Sequence, residues 1–363
     1  MRNPKPAEIM PPLAPARRAA VPINGTRGTD ARALVSRLVR CGAVPPDLLT
    51  LVEGPLAEAV AKAADYAAQA ISPGTVATYK ADWADFVVWA RSQGVAASLP
   101  VHPVVVAAWL ATLAHELGRS ALRRRVAAVA YYHRSLGFLW PSGHAAIRAT
   151  LAGVARAHPR PVRPAAALTS AEVKQLIAVC PRDLAGLRDG ALFLVGLAGA
   201  FRRSELVGID REHLRFDAKG VIVRIPRSKT DQTGEGADVA LPRTGGETCP
   251  VRALEEWLRR AKIRRGPVFR RITSSGTLEG RLTGDGVYKI LRTRAAAAKL
   301  TVPATERLSP HGLRAGLITE ASLNGALDEQ IMPHTRHKDL GTMRGYRRRA
   351  RIAVDNPASL LDL

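Results

Sequence analysis

Apolar residues recur at every third or fourth position over much of the chain, a spacing that predicts α-helices. The strongest such pattern begins at Ser72-Pro73 and ends at Gly94. One face of this helix is apolar and largely aromatic: Val76, Tyr79, Trp83, Phe86, Val87 and Ala90. We expect these aromatic side chains to form a hydrophobic core rather than to stack on bases.

Similar spacing predicts three more helices, at 103–117, 119–136 and 141–157. Together the four helices predict a compact α-helical domain over residues 65–157. Residues 1–64 begin with a stretch rich in Pro, Ala and Arg and show helical spacing at 30–40 and 55–70, so we expect a flexible basic tail and short helices there. The first 28 residues have no continuous apolar segment, which argues against a secretory signal.

A proline-rich segment follows the helical domain. Its three closely spaced prolines favour extended backbone, so we expect a linker over residues 158–167. Its cations, among them Arg160 and Arg163, suit a strap across a DNA groove, but a plain solvated linker would have a similar composition.

Residues 168–352 are expected to form a second domain. Thr169 and Glu172 have the spacing of a capping box at the start of a helix. Residues 187–201 have the composition of a buried helix, and amphipathic helices are expected at 250–263 and 284–300. A C-terminal tail, 353–363, completes the chain as given.

Strands are expected only in this second domain. Two of them, at 220–226 and 237–242, flank a polar loop, which predicts a long-looped antiparallel hairpin with Lys229 near its tip. The predicted fold class is therefore mainly α, with a four-helix N-terminal domain and a mixed, mostly helical second domain that contains a small antiparallel β-sheet.

The charge of the chain indicates its partner. The 363 residues include 54 Lys and Arg against 31 Asp and Glu, a formal net charge of +23, which favours binding to a polyanion and above all to nucleic acid. A membrane-surface protein is the alternative, but no long amphipathic basic helix with bulky apolar residues is evident. The longest apolar run, 191–201, is far shorter than the roughly 20 residues of a membrane helix.

The three cysteines lack the spacing of a zinc site and are odd in number, so neither a metal centre nor a disulfide framework is indicated. This favours a reducing compartment. We expect a cytoplasmic, nucleoid-associated protein.

Candidate chemistry is concentrated near the C-terminus. His311 and Arg314 are three residues apart at the start of a predicted helix, so both side chains lie on one face, where they could hold a phosphate oxygen and move a proton. Tyr346 lies among several arginines. The His-x-x-Arg pattern alone is a weak signal and gains weight only from the rest of the chain.

An ordered set of motifs resembles the tyrosine recombinases, or phage integrases. Its parts are Arg202-Arg203-Ser204-Glu205-Leu206, the hairpin Lys229, His311-Gly312-Leu313-Arg314, Arg336-His337, and Tyr346 nine residues after His337. The four-helix domain resembles the SAM-like core-binding domain of that family. The resemblance spans about residues 65–350 and fills all six active-site positions in order.

The resemblance implies a transesterification on duplex DNA. Tyr346 would be the nucleophile, forming a 3′-phosphotyrosine and freeing a 5′-hydroxyl. The bond energy is conserved in this reaction, so no cofactor is expected. Arg202 and Arg314 would bind the non-bridging oxygens, because guanidinium groups match phosphate geometry and stay charged.

The remaining catalytic positions would handle protons and orientation. Lys229 would protonate the leaving oxygen, and His311 would assist proton movement at the nucleophile. His337 would hydrogen-bond the phosphate, and Glu205 would orient its neighbours. His334, twelve residues before Tyr346, is interpreted as structural.

Arginines outside this set are expected to contact the DNA backbone: Arg123, Arg124, Arg125, Arg160, Arg163, Arg203, Arg336 and Arg347. For Arg123–Arg125 a solvated helix face remains an alternative. Two features depart from the family pattern: Arg336 stands where a glycine usually precedes the histidine, and Pro333 interrupts the preceding helix.

The resemblance also implies a tetramer that joins two DNA sites and exchanges strands through a Holliday junction, with accessory factors left open. Two alternatives remain: a type IB topoisomerase-like relaxase, which uses a similar set of groups, and a DNA-binding regulator without activity.

Overall fold

The computed structural model describes residues 57–337 except 142 and 227–234, together with 339, 341, 345, 346 and 361. The chain divides in sequence into two compact units between Pro161 and Val162. The helix expected at 30–40 and the expected site residues Lys229 and Arg347 lie outside the described residues.

The first unit contains five described helices: α1 (Ala57–Gln69), α2 (Pro73–Ser92), α3 (Pro103–Thr112), α4 (Arg119–Ser135) and α5 (Ala145–Ala157). The four helices predicted for the core are confirmed. α5 begins at Ala145 rather than 141 because the Nδ1 atom of His144 accepts a hydrogen bond from the Ala146 amide and caps the helix there. α3 ends five residues earlier than predicted, and turns follow it.

The aromatic face of α2 forms the core of this unit, as predicted. Phe86 is fully buried, and its ring meets the Trp109 ring of α3 edge-on at a centroid distance of 5.1 Å. Trp83 stacks on Tyr132 of α4 at 4.8 Å. These rings are held between helices, which explains their helical spacing.

Two arginines of the Arg123–Arg125 run pair with carboxylates inside the unit. Arg124 donates two hydrogen bonds, of 2.8 and 2.9 Å, to the buried carboxylate of Asp82. Arg125 is only 9% exposed, pairs with Asp85 at 2.9 Å and lies over the Trp109 ring. The guanidinium of Arg125 is thus sequestered within the fold, which argues against the DNA contact expected for it.

His133 is buried in the same unit with both ring nitrogens occupied. Nε2 accepts a hydrogen bond from the Val101 amide at 3.0 Å, so Nδ1 carries the proton that it donates to the Val129 carbonyl at 2.8 Å. Burial lowers the pKa of His133 and outweighs the two backbone hydrogen bonds. The ring is therefore held neutral.

The second unit is mostly helical. Its described helices are α6 (Ser170–Ala178), α7 (Leu184–Ala198), α8 (Arg203–Gly208), α9 (Pro250–Arg260), α10 (Gly284–Ala297), α11 (His311–Leu323) and α12 (Asp328–Thr335). α6 has the predicted capping box. α7 begins three residues before the predicted start because the Asp183 carboxylate accepts a hydrogen bond from the Gly186 amide.

Two small antiparallel sheets complete the unit. β2 (Gly220–Ile225) pairs with β3 (Ala237–Pro242), as predicted, and β1 (Leu214–Phe216) adds a third strand beside β2. β4 (Arg270–Ile272) and β5 (Leu278–Arg281) form a separate pair. At three or four residues, β1, β4 and β5 are too short to show an alternating pattern in the sequence.

The second half of the expected linker is part of this unit, which corrects its predicted extent. Ala165 pairs with Arg307 in a parallel bridge, and the Leu168 amide donates a 2.9 Å hydrogen bond to the Gly312 carbonyl. Ala165 and Ala166 are buried. The segment 164–168 is thus an extended strip along the start of α11.

None of the described helices is long and apolar enough to cross a lipid bilayer.

Candidate active site

The end of α7, the first turn of α11 and the end of α12 bring the predicted site residues together. Arg202 immediately precedes α8, His311 and Arg314 occupy the first turn of α11, and His337 follows α12. Tyr346 packs beside them. Five of the six predicted catalytic residues therefore meet in the described part of the second unit, and the sixth, Lys229, lies outside the described residues.

α11 is fixed by two glycines that permit close backbone contact. A Cβ atom on Gly312 would lie 2.4 Å from the Ala166 carbonyl oxygen, and one on Gly316 would lie 1.9 Å from the Leu168 carbonyl oxygen. The strip 164–168 consequently sits directly against the helix. This contact sets the position of the first turn of α11 and of the side chains that it carries.

Arg314 lies at the centre of the site and is 1% exposed. Its Nη1 donates a 2.8 Å hydrogen bond to the Ala200 carbonyl, and its Nη2 is 3.3 Å from His337. Burial, followed by repulsion from Arg202 and Arg336, lowers the pKa of Arg314 to about 9. A buried cation under such repulsion is suited to receive an anion.

Arg202 is paired with one buried carboxylate. Its Nη1 lies 2.6 Å from Glu205 Oε1, and its amide donates a 2.9 Å hydrogen bond to Glu205 Oε2. Burial of Glu205 opposes its ionisation most strongly, but Arg336 and Arg202 together outweigh this effect, so the pKa of Glu205 is lowered. Glu205 is thus an ionised residue that holds the backbone amide and guanidinium of Arg202.

Arg336, which was expected to contact the DNA backbone, is buried inside the site. Its Nη2 forms a 2.8 Å ion pair with Glu205, its Nη1 donates to the His334 carbonyl at 2.7 Å, and its guanidinium lies over the Phe201 ring. Burial is the largest influence on the pKa of Arg336 and lowers it despite Glu205. With its side chain only 10% exposed and both terminal nitrogens hydrogen-bonded inside the unit, Arg336 has little surface to offer a phosphate.

His311 and Tyr346 are in direct contact. His311 Nε2 lies 2.5 Å from the Tyr346 hydroxyl oxygen. Desolvation of the ring, followed by repulsion from Arg314, Arg202 and Arg307, lowers the pKa of His311. A neutral imidazole in this position can accept the phenolic proton.

His337 is the second histidine of the site. Its Nδ1 lies 2.7 Å from Thr335 Oγ1, and Thr335 in turn donates to the Ile331 carbonyl at 2.8 Å. Burial, followed by repulsion from Arg314 and Arg202, lowers the pKa of His337 to about 4. A neutral imidazole has one N–H, and it can donate that proton to a phosphate oxygen from Nε2 when the Thr335 hydroxyl turns from Ile331 to donate to Nδ1.

His334, interpreted from the sequence as structural, contacts the backbone of a neighbouring helix. Its Nε2 lies 2.7 Å from the Ala198 carbonyl oxygen, which ties α12 to the end of α7.

The charges of the site are unbalanced. Among the described residues, three guanidinium groups (Arg202, Arg314 and Arg336) share the single carboxylate of Glu205. The excess positive charge is partly buried and lies beside a tyrosine hydroxyl. A phosphodiester would neutralise this excess and present its phosphorus to that hydroxyl.

The other described arginines that are expected to contact DNA lie on the surface. Arg123 is exposed, and the side chain of Arg203, 48% exposed, approaches Asp285 at 3.3 Å. Arg160 hydrogen-bonds to the carbonyls of His115 and Glu116, and Arg163 donates to the Glu306 carbonyl at 2.8 Å. These contacts occupy part of each guanidinium and leave it near solvent.

Sequence reasoning missed two contributors to the site. Ala200 adopts a left-handed conformation with φ of 44°, and its carbonyl accepts from both Arg314 and Arg336. Thr335 is fully buried and supports His337. Alanine and threonine are not residue types that indicate a catalytic site. The only signal in the sequence is that Ala200 lies close to Arg202 and Thr335 lies close to His337.

Comparison with known proteins gives the family. The profile described as "Phage integrase family" matches residues 166–351. An integrase/recombinase xerD homolog from Selenomonas ruminantium is 34% identical over 288 residues, covering 78% of this chain and 83% of the relative.

Solved structures show the same fold. The XerH site-specific recombinase, in a post-cleavage complex with a palindromic difH substrate, aligns with a TM-score of 0.55 and 14% identity over 93% of this chain and 98% of its own. A lambda integrase dimer bound to a COC′ core site aligns with a TM-score of 0.54 and 15% identity over 78% and 73%. Because the family profile matches residues 166–351 and the Selenomonas ruminantium homolog is 34% identical, the chain belongs to the phage integrase family of tyrosine recombinases, a class of DNA strand transferases.

Proposed function

We propose that this protein cuts and rejoins DNA at specific sites through a 3′-phosphotyrosine, with Tyr346 as nucleophile. The contact between His311 Nε2 and the Tyr346 hydroxyl, beside the unneutralised Arg314, supports this most directly. Family membership supplies the reaction class, site-specific recombination. The roles of individual residues in cleavage and rejoining are part of this proposal.

Strand cleavage begins with loss of the phenolic proton to His311. The Tyr346 oxygen attacks phosphorus and forms a new P–O bond, while the bond from phosphorus to the 5′-oxygen breaks. Lys229 donates a proton to that departing oxygen. Arg202, Arg314 and His337 hold the non-bridging oxygens as charge builds on them. Attack by a 5′-hydroxyl from another strand reverses these steps and joins the new partner.

Recombination in this scheme takes place in an assembly of four protomers on two duplexes, in the cytoplasm, and passes through a Holliday junction. Phosphate contacts, including those of Arg123, Arg160, Arg163, Arg203 and Arg347, supply sequence-independent affinity that weakens as salt rises. The tail 353–363 docks on a neighbouring protomer. Its deletion should impair cooperative assembly on DNA and leave single-site binding intact, and unchanged assembly would refute docking.

The test begins with selection of bound duplexes from a random-sequence library, which provides a site. A duplex of that site with a nick near the cleavage position loses a short strand after attack, so the covalent complex is trapped. We expect wild-type protein to form this complex and Tyr346→Phe to bind DNA without forming it.

A second reaction distinguishes recombination from relaxation. Two intact copies of the site should yield recombinant product. Covalent complex without recombinant product would indicate a topoisomerase-like relaxase, and binding without a covalent complex would indicate a DNA-binding regulator.

A further inference from the structure

We infer that Arg336 is a positioning residue that links the two phosphate-binding arginines and keeps Arg202 available to DNA. This inference rests on the proposed function. It differs from the expectation that Arg336 contacts the DNA backbone, and it concerns a residue at which this chain departs from the glycine usual in its family.

The backbone at this position favours glycine. Arg336 has φ of 57° and ψ of 41°, the left-handed conformation that side chains with a Cβ atom adopt at a steric cost. Its guanidinium is also buried, which carries a desolvation cost, and its Nε atom has no hydrogen-bond partner. Two unfavourable features at one residue indicate a compensating role at the site.

Arg336 contacts the surroundings of Arg202 in two ways. Its Nη2 lies 2.8 Å from Glu205 Oε2, while Arg202 Nη1 lies 2.6 Å from the other oxygen of the same carboxylate. Its own carbonyl also accepts a 3.4 Å hydrogen bond from Arg202 Nη2. Arg202 is therefore held from both ends of its guanidinium.

Arg336 also reaches the second arginine. Its Nη2 lies 3.3 Å from the Ala200 carbonyl oxygen, which accepts a 2.8 Å hydrogen bond from Arg314 Nη1. One residue thus connects the anchoring groups of Arg202 and Arg314. Movement of the Arg336 side chain would displace both phosphate-binding groups together.

The shared carboxylate has an electrostatic consequence. Glu205 is buried, and without Arg336 its charge would be directed at Arg202 alone. Arg202 would then hold a neutralised, inward-facing guanidinium and attract the scissile phosphate more weakly. With Arg336 present, the two cations divide the carboxylate, and Arg202 keeps an excess of positive charge for DNA.

The test compares single-turnover cleavage of the nicked duplex at saturating protein in Arg336→Gln, Arg336→Gly and Arg336→Lys. We expect Gln and Gly to slow cleavage by about 10- to 100-fold, because a positioning error of about 1 Å is enough for such a loss. Lysine, which keeps one cationic donor for Glu205, should recover part of the rate. Arg259→Gln is the matched control, since it removes one exposed arginine of α9 that pairs only with Glu256 in the described structure.

Binding is measured in a Tyr346→Phe background, where no cleavage occurs. We expect the Kd for the same duplex to change by less than about threefold, with little change in salt dependence, because Arg336 makes no phosphate contact of its own and the scissile phosphate is only one of many phosphates that the protein contacts. A weaker Kd with a salt slope reduced by about one, together with a normal saturated rate, would show a DNA-backbone contact and overturn the inference.

Two further comparisons exclude a merely structural role. Arg336→Gly suits the left-handed backbone, so this variant should fold, and a wild-type rate in it would overturn the inference. In a Glu205→Gln background, the further loss caused by Arg336→Gln should be much smaller than in wild type, and fully additive losses would overturn the link through Glu205.

A readout without cleavage separates this inference from the proposed function. Absence of a covalent complex in wild type would refute the proposed function alone. The rise in Tm produced by inorganic phosphate should still be smaller in Arg336→Gln than in Arg259→Gln, and equal rises would count against the inference.

Discussion

His311 Nε2 and the Tyr346 hydroxyl oxygen lie 2.5 Å apart, and the pKa of that histidine is lowered by ring desolvation and by three nearby arginines. The imidazole is therefore neutral and able to accept a proton at pH 7. Cleavage should be independent of pH between about 8 and 6.5 and should fall only below the usual histidine pKa of about 6.5.

The pH prediction is checked by single-turnover cleavage of the nicked duplex from pH 5 to 8. His311→Gln should slow cleavage by about 10²-fold or more and remove the acidic limb. A limb centred above pH 7 in wild type would contradict the assignment of His311 as acceptor.

Arg314 has a buried charge that is incompletely compensated until an anion arrives. Phosphate at ten times its Kd should stabilise wild type by about 1.4 kcal/mol and raise Tm by about 3–6 °C. Arg314→Met should fold with a Tm equal to or above that of wild type without phosphate, because an apolar residue relieves the repulsion. This variant should lose most of the phosphate-dependent rise, whereas Arg259→Met should keep it.

Thermal unfolding with and without phosphate measures the Tm of each variant and its phosphate-dependent rise. An undiminished phosphate-dependent rise in Arg314→Met would place the anion site elsewhere.

Lys229, which lies outside the described residues, is proposed to protonate the departing 5′-oxygen. Lys229→Ala should slow cleavage by about 10²–10⁴-fold. A duplex with sulfur at the 5′-bridging position should restore most of the rate, because a thiolate leaves without protonation. Equal losses on both substrates would assign Lys229 to binding or positioning.

His133 makes the stability of the N-terminal unit depend on pH. Its pKa is lowered in the folded chain, so its contribution is fully present above the unfolded value of about 6.5 and is lost as pH falls through the folded value. The slope from one such group is at most about 1.4 kcal/mol per pH unit. Glutamine does not titrate, so His133→Gln should reduce the dependence of stability on pH.

Hydrogen exchange of α4 peptides in the full-length chain, at pH 7.5 and 5, measures this slope. Equal protection factors for the α4 amides at pH 7.5 and pH 5 in wild type would contradict the prediction.

Most of the fold was predictable because the helices are long and amphipathic. The face of α2 and the β2–β3 hairpin follow directly from periodicity. The start of α7 was misplaced because the Asp183 cap outweighs the apolar pattern, and β1 was missed because three residues cannot display alternation.

The site was predictable from the residues that are proposed to do the chemistry and not from those that support them. His311, Arg314 and Tyr346 are conspicuous in the sequence. The role of Arg336 was not visible, because its partner Glu205 lies 131 residues earlier and the pairing exists only in the folded chain. For the same reason the pairing of Arg125 with Asp85, 40 residues earlier, was not visible in the sequence.

The contacts of Tyr346 bear on which subunit would cut the DNA. The ring packs against Ile318 of α11 and Ile331 of α12, and its hydroxyl meets His311, all within a single polypeptide. The arginines proposed to bind the phosphate come from that same polypeptide. Cleavage is therefore expected to occur in cis, so a mixture of Tyr346→Phe and Arg314→Met protomers should show no complementation on one DNA site.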